Sequence, residues 1–125
     1  MSDGAQVSSF GFSVAVSGDT ALIGTPAYGL GGETGRGAGY VYTRAGVTWS
    51  LQQKLLANDG AIGDNLGYSV ALDGDTALLG AITVNIGAAG DQGAAYVFTR
   101  SGATWSQQAK LFSNDGASND QFGWS

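Results

Sequence analysis

Cysteine and histidine are both absent from this sequence of 125 residues. Without histidine the chain cannot form a Ser-His-Asp triad, and it has no imidazole to act as a base or as a metal ligand. Without cysteine it has no disulfide, no thiolate nucleophile and none of the usual zinc or iron–sulfur sites. A chain without cysteine tolerates either redox compartment, so the compartment is left open.

Basic residues are scarce as well, since five Lys and Arg stand against ten Asp and Glu and give a formal net charge of −5. This balance argues against nucleic acid and against anionic membrane surfaces as partners. No segment approaches the ~20 consecutive apolar residues that a membrane-spanning helix needs. Residues 1–9 lack the pattern of a signal peptide, so we expect the signal of a secreted protein to lie outside this sequence.

Proline occurs once, whereas glycine occurs 22 times, more than twice its average usage of roughly 7%. Each glycine inside a helix costs about 1 kcal/mol relative to alanine, so this composition disfavours long helices. It favours short strands joined by tight turns. Because 43% of the residues are hydrophobic, the chain has enough apolar material for a core and is not a disordered tail.

The sequence repeats itself with a period of 56 residues. Residues 10–65 align without a gap with residues 66–121, and 29 of the 56 positions are identical. Four strands are predicted in the first repeat, at 10–17, 20–24, 38–44 and 47–56, and the second repeat follows the same plan. Tight turns are predicted at Gly18-Asp19 and at Ala45-Gly46.

Four short antiparallel strands in each of two successive units are typical of β-propeller blades. The predicted fold is therefore all-β, with two four-stranded antiparallel blades in the chain. The predicted organisation is part of an inter-blade loop at 1–9, blades at 10–65 and 66–121, and the start of a third repeat at 122–125. An open two-sheet sandwich is the alternative, but a sandwich does not require successive units to be alike.

Strict alternation predicts the faces of two of these strands. In the first strand, large residues alternate with Ser13, Ala15 and Ser17, and we expect the small face to allow close approach between blades or to line an inner channel. In the fourth strand, alternation places four residues on one face: Trp49, Leu51, Gln53 and Leu55. Trp49 and Trp105 are expected to fill the broad gap between the outer strands.

The stretch "FGFSVAVSGDTALIGTP" at 10–26 resembles the FG-GAP repeat, which is named for a Phe-Gly pair and a later Gly-Ala-Pro. The first motif falls at Phe10-Gly11, Leu66-Gly67 and Phe122-Gly123, and the second, incomplete, at Gly24-Thr25-Pro26 and Gly80-Ala81-Ile82. "GYVYTRAGVTWSLQQKL" at 39–55 and "AYVFTRSGATWSQQAKL" at 95–111 look like the bacterial branch of that family. The resemblance implies propeller blades like those of the integrin α-subunit head and of some lectins, and hence an extracellular or cell-surface recognition module.

The sequence departs from the integrin pattern at the calcium loop. The resemblance implies three or more Asp or Asn between the two motifs, but only "SGDT" at 17–20 and "DGDT" at 73–76 stand there. A two-residue turn cannot supply the 6–8 oxygens that Ca²⁺ requires. We therefore expect no calcium site of the family type and no cofactor.

Acidic residues recur in the loop that follows each blade. The carboxylates concerned are Asp59, Asp64, Asp115 and Asp120. They could form a weak cation site with the oxygens of Asn58 or Asn114, or an acid pair for hydrolysis, but capping of loop N–H groups is favoured because a structural device recurs in every repeat. We therefore expect no enzymatic activity.

Basic and aromatic residues recur too. Arg44, Arg100, Lys54 and Lys110 could form a surface for anions, but pairing with the repeated Asp residues between neighbouring strands or blades is favoured. Asp19 and Asp75 are interpreted as turn residues only. Tyr40, Tyr42, Tyr96, Phe98, Trp49 and Trp105 could stack on sugars, but packing between blades is favoured because all recur in strands.

The two repeats differ most in the loops at 25–36 and 81–92. Loops on one rim of a propeller carry binding, whereas strands carry the fold. The candidate contacts for a protein or glycan partner are Tyr28, Glu33, Arg36, Asn85, Asp91 and Gln92. Neutral drift of tolerant loops is the equally weighted alternative.

A propeller closes with about 4–8 blades, so two blades are expected to associate with other copies. We expect a homo-oligomer, three copies for six blades or four for eight, that serves as a structural or recognition scaffold. A fragment or an engineered piece of a longer array of blades is a further interpretation. Residues 2–13 and 114–125 would compete for one place, and the expected interface residues are Phe10, Phe12, Phe122 and Trp124. A carbohydrate-binding lectin and an open head-to-tail filament are the alternatives.

Overall fold

The computed structural model describes residues 11–26, 37–57, 64–82 and 93–112, and within these ranges the regular structure is all β. In chain order the strands are β1 (Ser13–Ser17), β2 (Thr20–Thr25), β3 (Ala38–Ala45), β4 (Thr48–Leu55), β5 (Leu66–Asp73), β6 (Thr76–Ala81), β7 (Ala94–Ser101) and β8 (Thr104–Leu111). Strands β2, β3 and β4 begin 56 residues before β6, β7 and β8.

The strands form two four-stranded sheets, each in simple chain order. The first sheet runs β1-β2-β3-β4, the second runs β5-β6-β7-β8, and every pairing is antiparallel. This architecture confirms the all-β prediction and the two four-stranded antiparallel units. Two of the tight turns are made by Gly18 and Gly46, whose φ angles of +57° and +63° suit glycine. The second turn lies one residue later than predicted, at Gly46-Val47.

A β-bulge interrupts the alternation of β4. Val41 pairs with Gln53 and Tyr42 pairs with Leu51, so Gln52 is the extra residue. The prediction that Trp49, Leu51, Gln53 and Leu55 share one face is therefore wrong, because an extra residue reverses the side on which the following residues lie. Trp49 and Leu51 lie on the face of Tyr42, whereas Gln53 and Leu55 lie on the opposite face. The second sheet has the same irregularity beside Gln108.

Each sheet thus has two distinct faces. The aromatic face carries Ala21, Ile23, Tyr42 and Trp49 in the first sheet and Ala77, Leu79, Phe98 and Trp105 in the second. The aliphatic face carries Leu22, Val41 and Leu55 in the first sheet and Leu78, Val97 and Leu111 in the second. The aliphatic face of the first sheet packs on the aromatic face of the second and forms the main core of the described residues.

The two sheets are closest at their inner strands. Strand β1 contacts β5 along its length, whereas the outer strands β4 and β8 meet at only a few residues. The hydroxyl of Ser13 donates to the Gly67 carbonyl oxygen at 2.8 Å, and the Gly74 N–H donates to Ser17 Oγ at 3.1 Å. The small face of the first strand therefore lies at a close approach between sheets, as the alternation predicted.

Candidate functional site: the faces of the two sheets

The joint between the two sheets is centred on Trp105, which is only 3% exposed. Its indole Nε1–H donates to Gln52 Oε1 at 2.8 Å. Its main-chain N–H donates to Gln53 Oε1 at 2.7 Å, and its carbonyl oxygen accepts from Gln53 Nε2 at 2.8 Å. Two consecutive glutamines can reach one residue because the bulge at Gln52 breaks the alternation of β4.

Arg100 links the rim of this joint to the first sheet. Its guanidinium stacks on the Trp105 ring at 4.8 Å and donates through Nε to Asp75 Oδ1 at 2.8 Å. Its Nη1 donates to Thr20 Oγ1 at 3.2 Å and to Gln52 Oε1 at 3.3 Å. These contacts leave the side chain 14% exposed.

The same local arrangement occurs, uncovered, on the aromatic face of the first sheet. Arg44 stacks on Trp49 at 5.4 Å, and its Nη2 lies 2.7 Å from Asp19 Oδ1. Here Trp49 is 42% exposed and the Arg44 side chain is 43% exposed. An apolar depression of about 330 Å³ lies on this face, lined by Ala21, Ile23, Tyr42 and Trp49.

The aliphatic face of the second sheet is the complementary uncovered surface. Leu78 and Leu111 are 39% and 44% exposed. Their counterparts in the first sheet, Leu22 and Leu55, are buried in the joint. Within the described residues, one pair of faces is buried in the joint. The corresponding pair is exposed at Trp49, Leu78 and Leu111, whereas Tyr40 on the same aromatic face as Trp49 is buried.

These faces are suited to burying apolar surface against another β-sheet. The polar groups at their rims are strand-end arginines, carboxylates in turns and glutamine amides, which orient one sheet on the next. Among the described residues, no group of three or more His, Cys, Asp or Glu side chains is close enough to hold a metal ion. The described part of the chain contains no helix that is long and apolar enough to cross a membrane.

Comparison with known families agrees with the repeat. The sequence profile of the FG-GAP repeat matches residues 1–42, 49–98 and 105–125, which is most of the chain. The chain belongs to the FG-GAP repeat family. A search among curated proteins found no match.

FG-GAP membership and the two four-stranded antiparallel sheets support one statement about the class of molecule. The chain is a repeat module of the β-propeller type, and each sheet has the form of one blade. In this FG-GAP chain, residues that recur in both repeats line the joint between the two blades.

Several candidate residues of the FG-GAP chain lie outside the described ranges. They are Tyr28, Glu33, Arg36, Asn85, Asp91 and Gln92 for ligand contact, Asp59, Asp115 and Asp120 for a cation, and Phe10, Phe122 and Trp124 for the interface. The competition predicted between residues 2–13 and 114–125 also falls largely outside them. Of the remaining two candidates, Asp64 is buried two residues before the start of β5. Phe12 is 52% exposed, and its ring lies 4.9 Å from that of Tyr68.

Most of the recurring FG-GAP aromatics and both arginines pack or pair as the sequence favoured, but Trp49 does not fill the gap between the two described sheets. Arg44 and Arg100 pair with Asp19 and Asp75. Tyr40, Tyr96, Phe98 and Trp105 are buried, Tyr42 is partly buried and Trp49 is exposed. Lys110 lies with its Nζ 5.6 Å from the centre of the Tyr96 ring.

Sequence reasoning missed Gln52 and Gln53, the two FG-GAP residues that hold Trp105. Strict alternation assigns neighbouring residues to opposite faces, so it could not bring both to one partner. The available signal was the identity of Gln52 with Gln108 at equivalent positions, two residues before a Lys-Leu pair that both repeats share. That identity draws attention to Gln52, but it does not predict the bulge that brings Gln52 to Trp105.

Proposed function

We propose that this chain is a non-enzymatic β-propeller module whose copies associate head to tail. The aliphatic face of the second sheet of one copy packs on the aromatic face of the first sheet of the next. One observation carries the proposal: the same two types of face already pack on each other inside the chain, around Trp105, and each occurs again, among the described residues, with exposed apolar side chains.

Apolar burial supplies the driving force for this association. Leu78 and Leu111 of one copy would enter the depression beside Trp49 of the next, as Leu22 and Leu55 pack near Trp105 within the chain. Complete burial of a leucine side chain contributes about 1.5–3 kcal/mol relative to exposure. Thr76 would stand near Arg44, as Thr20 stands near Arg100.

A head-to-tail joint of this kind generates a ring if its rotation closes and a filament if it does not. Three copies give six blades and four give eight, which is within the range of about 4–8 for closed propellers. We propose the closed ring, serving as a structural or recognition scaffold with a protein or glycan partner at its loops. The family resemblance supports an extracellular or cell-surface location, and the disagreement between the repeats at 25–36 and 81–92 supports a role for these loops.

Two variants test the joint from its two sides. Ala21→Glu places a charge in the aromatic face of the first sheet, at the counterpart of fully buried Ala77. Leu78→Glu does the same in the aliphatic face of the second sheet, at the counterpart of fully buried Leu22. We expect the unmodified chain to have three or four times the 12.6 kDa protomer mass in sedimentation experiments, and each variant alone to be a monomer.

Mixing these variants distinguishes a head-to-tail joint from a symmetric one. The Ala21→Glu chain keeps a competent second sheet, and the Leu78→Glu chain keeps a competent first sheet. An equimolar mixture should therefore give a 1:1 dimer and nothing larger. Val47→Glu is the matched control, because Val47 is 96% exposed and its counterpart Ala103 stays exposed beside the covered face. A monomeric unmodified chain, or a mixture that stays monomeric, would rule out the proposal.

A further inference from the structure

The residue that holds the outer edge of the joint within the chain has no equivalent at the uncovered surface. Gln53 occupies this place in the first sheet, and 56 residues later the second sheet has Ala109. We propose that this difference makes the joint between copies weaker than the joint within a copy, so that Ala109 limits assembly. This inference rests on the proposed function and takes a second copy of this chain as the partner.

Gln53 acts on the main chain of an edge strand. Among the described strands, β8 is the outermost of the second sheet and has β7 as its neighbour, in which Arg100 lies opposite Trp105. Edge strands leave main-chain N–H and C=O groups without a strand partner. The carboxamide of Gln53 donates to and accepts from the main chain of Trp105, at 2.8 and 2.7 Å, as the N–H and C=O of one residue in an antiparallel neighbouring strand would.

The joint proposed between two copies would have only half of this arrangement. Trp49 lies in β4, the outermost strand of the first sheet, opposite Arg44. Gln108 of a second copy corresponds to Gln52 and carries the carboxamide oxygen that an indole N–H needs. That oxygen accepts from Thr99 Oγ1 at 3.1 Å, and a carbonyl oxygen has a second lone pair for the indole of the next copy.

Ala109 cannot complete the arrangement. Its methyl group neither donates nor accepts, so the N–H and C=O of Trp49 at the outer edge gain no side-chain partner from position 109 of the next copy. Each hydrogen bond contributes modestly to a net association, and two acting together change an equilibrium by about tenfold or more. The two joints of a ring would then alternate between strong and weak.

The pair of charged variants described above isolates one joint between copies for measurement. In the mixture, the Ala21→Glu chain supplies the second sheet and the Leu78→Glu chain supplies the first. Adding Ala109→Gln to the Ala21→Glu chain should lower the dissociation constant, measured by isothermal titration calorimetry, by about tenfold or more. Ala109→Asn is the matched control, because its amide is one methylene too short to reach both main-chain groups, and it should change the constant by less than about threefold.

Position provides a second control. Ala109→Gln in the Leu78→Glu chain lies on a face outside the joint of the mixture and should leave the dissociation constant unchanged. Association of the parent pair without a response to Ala109→Gln, or an equal response in both chains, overturns this inference and leaves the proposed function standing. Failure of the parent pair to associate overturns both.

Discussion

At the scale of single residues, Gly67 shows how closely the two sheets approach at their inner edge. Its φ is +93°, which side chains rarely adopt, and a Cβ at this position would lie 2.5 Å from the Ala38 carbonyl oxygen. A Cβ on Gly24, in the other sheet, would collide with the Gly67 carbonyl oxygen. These positions combine the conformational freedom of glycine with its lack of a side chain.

Gly67→Ala is therefore expected to lower the free energy of unfolding by about 3 kcal/mol or more, because strain and collision act together. Gly46→Ala is the matched control, since Gly46 has a φ of +63° but no atom within 4 Å of the added Cβ. Its cost should be about 1 kcal/mol, from backbone strain alone. Urea denaturation of both variants measures the difference, and equal costs would show that the close approach at Gly67 is unimportant.

At the scale of elements, the bulge in β4 decides which residues meet the neighbouring sheet. It allows Trp49 to lie on the aromatic face while Leu55, six residues later, lies on the aliphatic face. With strict alternation these two residues would share a face, and one of them would be turned away from its packing partners. The bulge also brings both Gln52 and Gln53 to Trp105.

Deletion of Gln52 removes the bulge and is expected to cost about 3 kcal/mol or more of unfolding free energy, because either Leu55 or Trp49 must change sides. Gln52→Ala keeps the length of β4 and removes only the amide that serves Trp105 and Arg100. It should cost about 1–2 kcal/mol. Thermal unfolding of the two variants compares these losses, and a deletion no worse than the alanine substitution would contradict the role given to the bulge.

The same element shows how far the sequence predicts the structure. The repeat located the strands to within one to three residues at the ends that the structure describes, because glycine turns and alternating side chains are local features. It also favoured pairing with Asp for the recurring arginines and packing for the recurring aromatics over a role in binding. The roles of Gln52 and Gln53 were missed because a bulge depends on pairing between strands. The difference between Trp49 and Trp105 depends on which sheet has a neighbour, which identical "TWS" segments cannot reveal.

At the scale of the whole molecule, charge would oppose the association proposed for the apolar faces. Every copy carries a formal net charge of −5, so whole copies repel one another, whereas burial of the proposed faces would favour association. The Debye length falls from about 30 Å at 0.01 M salt to about 8 Å at 0.15 M. Repulsion between whole copies is screened over this range, whereas apolar burial is not.

Association of the unmodified chain is therefore expected to strengthen as salt rises over this range. Sedimentation at several protein concentrations measures the change. The ion pairs Arg44–Asp19 and Arg100–Asp75 lie within one sheet each, so their screening should affect the joint little. A clear weakening of association with salt would show that attraction between charges of different copies dominates the joint.

The unequal spacing of the two sheets has a geometric consequence. Their inner strands approach through glycine and serine, whereas the indole of Trp105 separates them nearer the outer strands. The thickness of one side chain at the wide end thus sets the angle by which each sheet turns from the last. In a ring of such sheets, the number of units is a full turn divided by that angle. The curvature of the ring would then depend on the side chain at each joint. A thinner residue in place of the indole would reduce the angle between sheets and so favour a larger ring.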